Sequence, residues 1–272
     1  MGKFSGIMII SDIDGTLVRR DQSIGERTIQ AIEHFQPEGG RFTLATGRMP
    51  GSMARFLGQI RLNAPAICYN GAMIHNPATD TTLWQLILDE RAVEVLEHVE
   101  RQLPGSGIEL YHDNRIFFCK ITPLVAEHIA VERFTVREVD FHSIPQPWTK
   151  AIFIQDPAAT VLVKQHLLAS EFASRYQFVR SGDTFFELLP QGASKGRALV
   201  ELARLCGQDL RRTIAVGDNE NDVEMLRTAG LGVAVDNAAD QVKEHADRIT
   251  VHHEEDAIHQ VIEDLDRGLI QL

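Results

Sequence analysis

Ile7-Met8-Ile9-Ile10-Ser11-Asp12-Ile13-Asp14-Gly15-Thr16 joins a run of branched apolar residues to two carboxylates and a glycine. The unbroken apolar run predicts a buried parallel strand over 7–10. Its carboxyl end is where active sites of open α/β sheets form. Residues two apart on a strand point the same way, so Asp12 and Asp14 can face one site together. Carboxylates that close repel each other unless a cation or a shared proton intervenes. Gly15 allows a tight turn away from the sheet. A plain strand followed by an Asp-Gly turn has the same local pattern, so the decision lies further along the chain.

Working outward, residues 1–77 alternate strand and helix. Ser23-Ile24-Gly25-Glu26 has the form of a capping box, and Ile29, Ile32 and Phe35 mark the buried face of the helix after it. A strand over 41–46 leads into Gly47-Arg48 and a second helix carrying Met53, Phe56, Leu57 and Ile60. A third strand, over 66–69, stops at Asn70-Gly71. This βαβαβ order predicts a parallel sheet with right-handed crossovers. Residues 78–190 change character. Helices are expected over 89–103, 123–134 and 158–172, hairpins turn at His112-Asp113-Asn114 and Ser181-Gly182-Asp183, and a strand covers 149–155. Residues 191–272 return to the parallel pattern. Ser194 caps a helix with Lys195 in its first turn, and a strand over 213–216 ends in Gly217-Asp218-Asn219-Glu220-Asn221-Asp222. The expected fold is α/β: a Rossmann-like parallel-sheet core, 1–77 with 191–272, and an inserted α+β cap domain, 78–190.

Composition narrows the function classes. The chain has 272 residues, 44% hydrophobic and 24% charged, ordinary for a globular protein of one large or two modest domains. A net charge of −11 with no run of Lys or Arg argues against nucleic acid or an anionic membrane as partner. That charge also repels phosphorylated metabolites at long range, so a phosphate site has to be built locally. No stretch approaches the roughly 18 apolar residues of a membrane span, and the apolar run before Asp12 is too short for a secretion signal. Cys68, Cys119 and Cys206 follow no metal-binding spacing. These features together predict a cytoplasmic protein.

Four features converge at strand ends or helix starts of one sheet. Beside Asp12 and Asp14 stands Thr46-Gly47-Arg48, a hydroxyl and free amides suited to a phosphate oxygen. Lys195 opens a helix, where a cation meets the positive end of the dipole, a conflict that a bound anion resolves. Asp218 with Asn221 and Asp222 offers hard oxygen ligands which, sharing a site with Asp12, fit Mg²⁺. Each alone has a plain structural explanation as a turn, a cap or a surface lysine; their order along one sheet does not. His252-His253 is expected to be exposed, with no third ligand near it. Trp84 and Trp148 are expected in the hinge or the cap core.

On these residues the chain resembles the haloacid dehalogenase superfamily of phosphohydrolases, and within it the Cof-like group of sugar-phosphate and cofactor-phosphate phosphatases. Asp12-Ile13-Asp14-Gly15-Thr16-Leu17 is similar to the first motif, Thr46-Gly47-Arg48 to the second, Lys195-Gly196 to the third and Gly217–Asp222 to the fourth. Asn70-Gly71-Ala72 also fits the group, while Val18-Arg19-Arg20 is more basic than its pattern. The resemblance implies a phosphoric monoester hydrolase acting on a small phosphomonoester, with Asp12 as nucleophile and Asp14 as general acid and base. It implies Mg²⁺ held by Asp12, Asp14 through its carbonyl, Asp218 and Asp222, and phosphoryl oxygens bound by Thr46, Gly47, Lys195 and Asn221. A phosphomutase, or a non-catalytic phosphosugar-binding module on the same fold, stands as the alternative.

Overall fold

The computed structural model describes residues 2–132 and 136–272. The chain divides into two compact units, one comprising residues up to Gln85 together with Ser194–Leu272, the other Leu86–Ala193. The first unit begins with β1 (Met8–Ser11), α1 (Glu26–Phe35), β2 (Arg41–Leu44), the short α2 (Ala54–Leu57), β3 (Ala66–Cys68), β4 (Met73–Asn76) and β5 (Thr81–Gln85). The second holds α3 (Ala92–Gln102), β6 (Gly107–His112), β7 (Arg115–Lys120), α4 (Pro123–Glu132), β8 (Lys150–Ile154), α5 (Pro157–Leu168), β9 (Tyr176–Arg180) and β10 (Phe185–Pro190). The chain then returns to the first unit with α6 (Lys195–Cys206), β11 (Thr213–Gly217), α7 (Val223–Thr228), β12 (Leu231–Ala234), α8 (Asp240–Lys243), β13 (Arg248–Ile249) and α9 (Ala257–Asp266). The helix expected over 123–134 is seen as α4, and the end expected for it lies outside the described residues.

The main sheet of the first unit runs β13-β12-β11-β1-β2, every pair parallel. Its central strands are buried on both faces, which is why β1 is continuously apolar rather than alternating. Register fixes where the motifs leave the sheet. Ser11 pairs with Leu44 on one side and Val216 on the other, so the residues after all three emerge at one edge. β3 extends this edge through a parallel bridge between Ile67 and Ala45.

Three local expectations need correction. Helix α1 starts after Gly25, whose extended backbone forms the cap without a side-chain bond. The Ser23 hydroxyl donates to Asp21 instead, and buried Asp256 holds this end through Arg19, Arg27 and Thr28. That ion pair gives the basic residue after the first motif its structural use. His253 is buried and bonds the Val18 carbonyl through Nδ1 at 2.7 Å. Finally, β4 and β5 form an antiparallel sheet with β3. Trp84 therefore lies on a strand of the first unit, while Trp148 lies in the core of the second.

The second unit carries an antiparallel sheet, β7-β6-β8-β10-β9. One face presents Ile108, Leu110, Ala151, Phe153, Phe186 and Leu188 to Val95, Val99, Val163 and Leu167 of α3 and α5. The opposite face carries buried charge. Glu109 and Glu187 flank Ile152 from either side, and Lys150 lies two residues along the same strand.

Candidate active site

The shared sheet edge collects the predicted residues. Asp12 follows β1, donating its backbone N–H to the Val216 carbonyl at 2.9 Å. Asp218 directly follows β11, and Thr46 stands two residues past the end of β2. Lys195 opens α6 behind the Ser194 cap, whose hydroxyl accepts from the Arg197 amide at 3.0 Å. Its ammonium is fully buried and donates to Asp12 Oδ1 and Asp222 Oδ1, each at 2.6 Å. The helix dipole that disfavours a lysine at this position is thus answered by two carboxylates.

Oxygens of Asp12, Asp218 and Asp222 lie within 4.8 Å of one another. Three acids around a single ammonium leave net negative charge in a buried place. Burial raises the Asp12 carboxyl well above its ordinary range; Lys195 opposes this, and Asp222 and Asp218 add to it. Asp218 is pushed up to about 7, by burial first and then by Asp222. Lys195 is raised because the two carboxylates outweigh the effect of its burial. A cation among these oxygens relieves the repulsion directly.

The free lone pairs indicate which carboxylates suit a metal. Asp222 Oδ1 accepts from Lys195, and its Oδ2 accepts the backbone amides of Asp218 and Asn219 at 3.1 Å each. Both its oxygens are therefore engaged in shaping the loop. Among the described residues, Lys195 bonds Asp12 through Oδ1 rather than Oδ2, and the Asp218 carboxylate accepts only from the Thr16 hydroxyl, at 3.2 Å to Oδ1. Hard, anionic oxygens with capacity to spare fit Mg²⁺, which takes few carboxylates and keeps waters.

Asp14 stands apart. Its half-exposed carboxylate is clasped by Arg48, Nε to Oδ2 and Nη2 to Oδ1, each at 2.8 Å. Burial raises this group, but the Arg48 hydrogen bonds and charge outweigh it, and its pKa lies below the ordinary value. Arg48 also donates to Gln22 Oε1, which accepts from Arg55 as well. Thr46 is buried, with its hydroxyl accepting the Arg48 amide at 3.1 Å. Gly47 lies between these two, against the side chain of Asn70. Asn221 donates Nδ2 to Asn70 Oδ1 at 2.9 Å. Asn70 belongs to the Asn70-Gly71-Ala72 pattern, which by itself assigns it no role, and its left-handed φ of 52° is the backbone signal of its special position.

Known proteins resemble the chain along nearly its whole length. The family model of haloacid dehalogenase-like hydrolases matches residues 9–262. A 5-amino-6-(5-phospho-D-ribitylamino)uracil phosphatase of Bacillus subtilis is 26% identical, the match covering 92% of this chain and 94% of that one. A crystal structure of a haloacid dehalogenase-like hydrolase from Bacteroides thetaiotaomicron superposes with a TM-score of 0.83 at 29% identity, covering 95% and 99% of the two chains. A structure described as a subclass IIB sugar phosphatase gives 0.84 at 23% identity, over 97% and 100%, and shares the fold.

Proposed function

Because the chain belongs to the haloacid dehalogenase-like hydrolases, we propose that it is a Mg²⁺-dependent phosphatase that hydrolyses small phosphomonoesters, sugar phosphates or similar metabolites, through an aspartyl-phosphate on Asp12. The observation that carries this reading is the buried lysine bridging Asp12 and Asp222 beside Asp218. It presents an oriented carboxylate nucleophile next to a cluster that calls for a cation.

Asp12 attacks phosphorus with Oδ2 while Lys195 holds Oδ1, so the carboxylate does not rotate and the free oxygen is the one presented. The P–O bond to the leaving group breaks as the new one forms, dividing one displacement into two easier steps. Asp14 gives its proton to the departing alkoxide, then takes one from the water that attacks the aspartyl-phosphate. The Arg48 clasp keeps Asp14 ionised, which suits the second step; the first requires the guanidinium to turn away. Lys195, Thr46, the Gly47 amide and Asn221 bind the equatorial oxygens, over which negative charge spreads. Asp12, the Asp14 carbonyl and Asp218, with Asp222 directly or through water, would hold Mg²⁺, which would supply the positive charge that lets an anionic substrate approach these carboxylates.

The second unit is proposed as the cap that selects the leaving group, and the cytoplasm as the place of action, in keeping with substrates of this kind. The test is a panel of phosphorylated metabolites assayed for release of inorganic phosphate with Mg²⁺ and without a bisphosphate activator. Release from simple monoesters by the parent chain and none by Asp12→Asn is the expected result. Phosphate transfer only in the presence of a bisphosphate would replace hydrolysis with a mutase reaction.

A further inference from the structure

Two asparagines from distant parts of the chain meet at the edge of this site and leave their hydrogen bonding unfinished. Asn221 Nδ2 donates to Asn70 Oδ1 at 2.9 Å. The two atoms this leaves over, Asn70 Nδ2 and Asn221 Oδ1, are both buried and have no hydrogen-bond partner among the described residues. Asn70 is 1% exposed, so water does not compensate it from the surface. An unmade bond to a buried polar group costs on the order of 1–3 kcal/mol, and such groups call for an explanation.

The fold goes to some length to place Asn70 there. Tyr69, Asn70 and Gly71 all have positive φ, at 52°, 52° and 94°. For tyrosine this conformation is strained, and strain of this kind persists where surrounding structure enforces it. Two backbone bonds enforce it here: Tyr69 N–H to the Arg48 carbonyl at 3.1 Å and Asn70 N–H to the Thr46 carbonyl at 3.0 Å. Gly71 meets the start of α6, where a Cβ would come within 2.0 Å of the Ser194 carbonyl oxygen. A Cβ on Gly47 would likewise come within 2.8 Å of Asn70 Nδ2. The turn is therefore stitched to Thr46–Arg48, seated on the residue before Lys195, and bonded to Asn221. Thr46, Gly47, Lys195 and Asn221, at or next to these points, are the groups to which phosphoryl binding is assigned above.

We propose that Asn70 is a further phosphoryl-binding residue: its unpartnered Nδ2, buried beside Gly47, donates to an oxygen of the bound phosphoryl group while its Oδ1 keeps Asn221 in position. An N–H donor beside a trigonal set of anionic oxygens is the match that completes it. The inference rests on the phosphatase reading above and deepens its phosphoryl site.

The test measures competitive inhibition by inorganic phosphate, using whichever monoester the parent chain hydrolyses, in Asn70→Gly, Asn70→Asp and Asn221→Ala. Glycine tolerates the left-handed backbone and removes only the side chain. Aspartate keeps the shape and the acceptor for Asn221 but has no donor. A hydrogen bond to a charged group predicts a rise in the inhibition constant of about ten- to a hundredfold for Asn70→Gly. The same rise is expected when Asn70→Gly is made in the Asn221→Ala background, with circular dichroism and the thermal midpoint of Asn70→Asp showing a native fold. An inhibition constant within about twofold of the parent in both Asn70 variants would overturn the proposal. So would an effect of Asn70→Gly that vanishes in the Asn221→Ala background, since the residue would then act only by positioning Asn221. A parent chain that neither hydrolyses monoesters nor binds phosphate would instead remove the phosphatase reading itself.

Discussion

Each unit of this chain buries a cluster of charge, and the two clusters are built on opposite rules. In the first unit, Asp12, Asp218 and Asp222 crowd around one ammonium, Lys195. In the second, each buried glutamate has its own partners. Glu187 accepts from Lys150 at 2.8 Å and from the Ser181 hydroxyl. Glu109 lies 2.7 Å from His128 and accepts from the Tyr111 hydroxyl at 3.2 Å. Lys150 also stacks over the Tyr111 ring, directly opposite it in the sheet register. Matched partners offset desolvation within the fold; surplus negative charge leaves part of it to be offset by something bound. Buried charge in excess, rather than buried charge as such, is what distinguishes a site from a scaffold here.

The largest effect expected from that contrast is on turnover. Chelating the chain with EDTA should abolish phosphate release, and added Mg²⁺ should restore it, because the surplus carboxylates otherwise face an anionic substrate uncompensated. Full activity in the chelated protein would mean that Lys195 alone suffices and that the excess has another explanation.

Asp14 sharpens the comparison, since it sits beside the surplus cluster yet has a private partner in Arg48. Asp14→Asn should leave the nucleophile and the Asp14 carbonyl intact while lowering turnover of sugar phosphates by roughly 10²–10⁴-fold, the usual scale of general acid catalysis. Its first step should be much less impaired for p-nitrophenyl phosphate, whose leaving group departs as a stable anion. Equal losses on both substrates in single-turnover measurements would show that Asp14 does not protonate the leaving group.

In the second unit the expected effect is on stability. Lys150→Met strands Glu187 without its cation and should destabilise the protein by about 3–5 kcal/mol, while adding Glu187→Leu should recover most of that loss. Neither change should alter the increment by which Mg²⁺ raises the unfolding temperature. If the paired cluster responds to Mg²⁺ as the surplus one does, the distinction between them fails.

Much of this was legible in the sequence because the informative residues follow the regular periods of their elements. Three of the four motifs could be placed at strand ends from apolar runs alone, and register then brought Asp12, Asp218 and Thr46 to one edge. The Ser194 cap of α6 was readable for the same reason. What escaped was set by tertiary contact. The start of α1 is held from α9 by Asp256, across more than 200 residues, so the local Ser23 signal misled. The β4–β5 pair lay in a stretch without strong alternation. The Arg48 clasp on Asp14 and the unfinished Asn70–Asn221 pair depend on side-chain geometry that no spacing specifies.

The central claim is that the surplus cluster presents Asp12 as a nucleophile, and rapid-quench labelling tests it most directly. The chain is mixed with a radioactive phosphoryl donor and Mg²⁺, quenched in acid within milliseconds, digested, and the labelled peptide identified. The label should appear on Asp12, accumulate in Asp14→Asn, where water lacks its base, and be absent from Asp12→Asn, whose turnover should fall at least about 1,000-fold. Label retained at this site in Asp12→Asn, or near-normal turnover by that variant, would contradict the assignment.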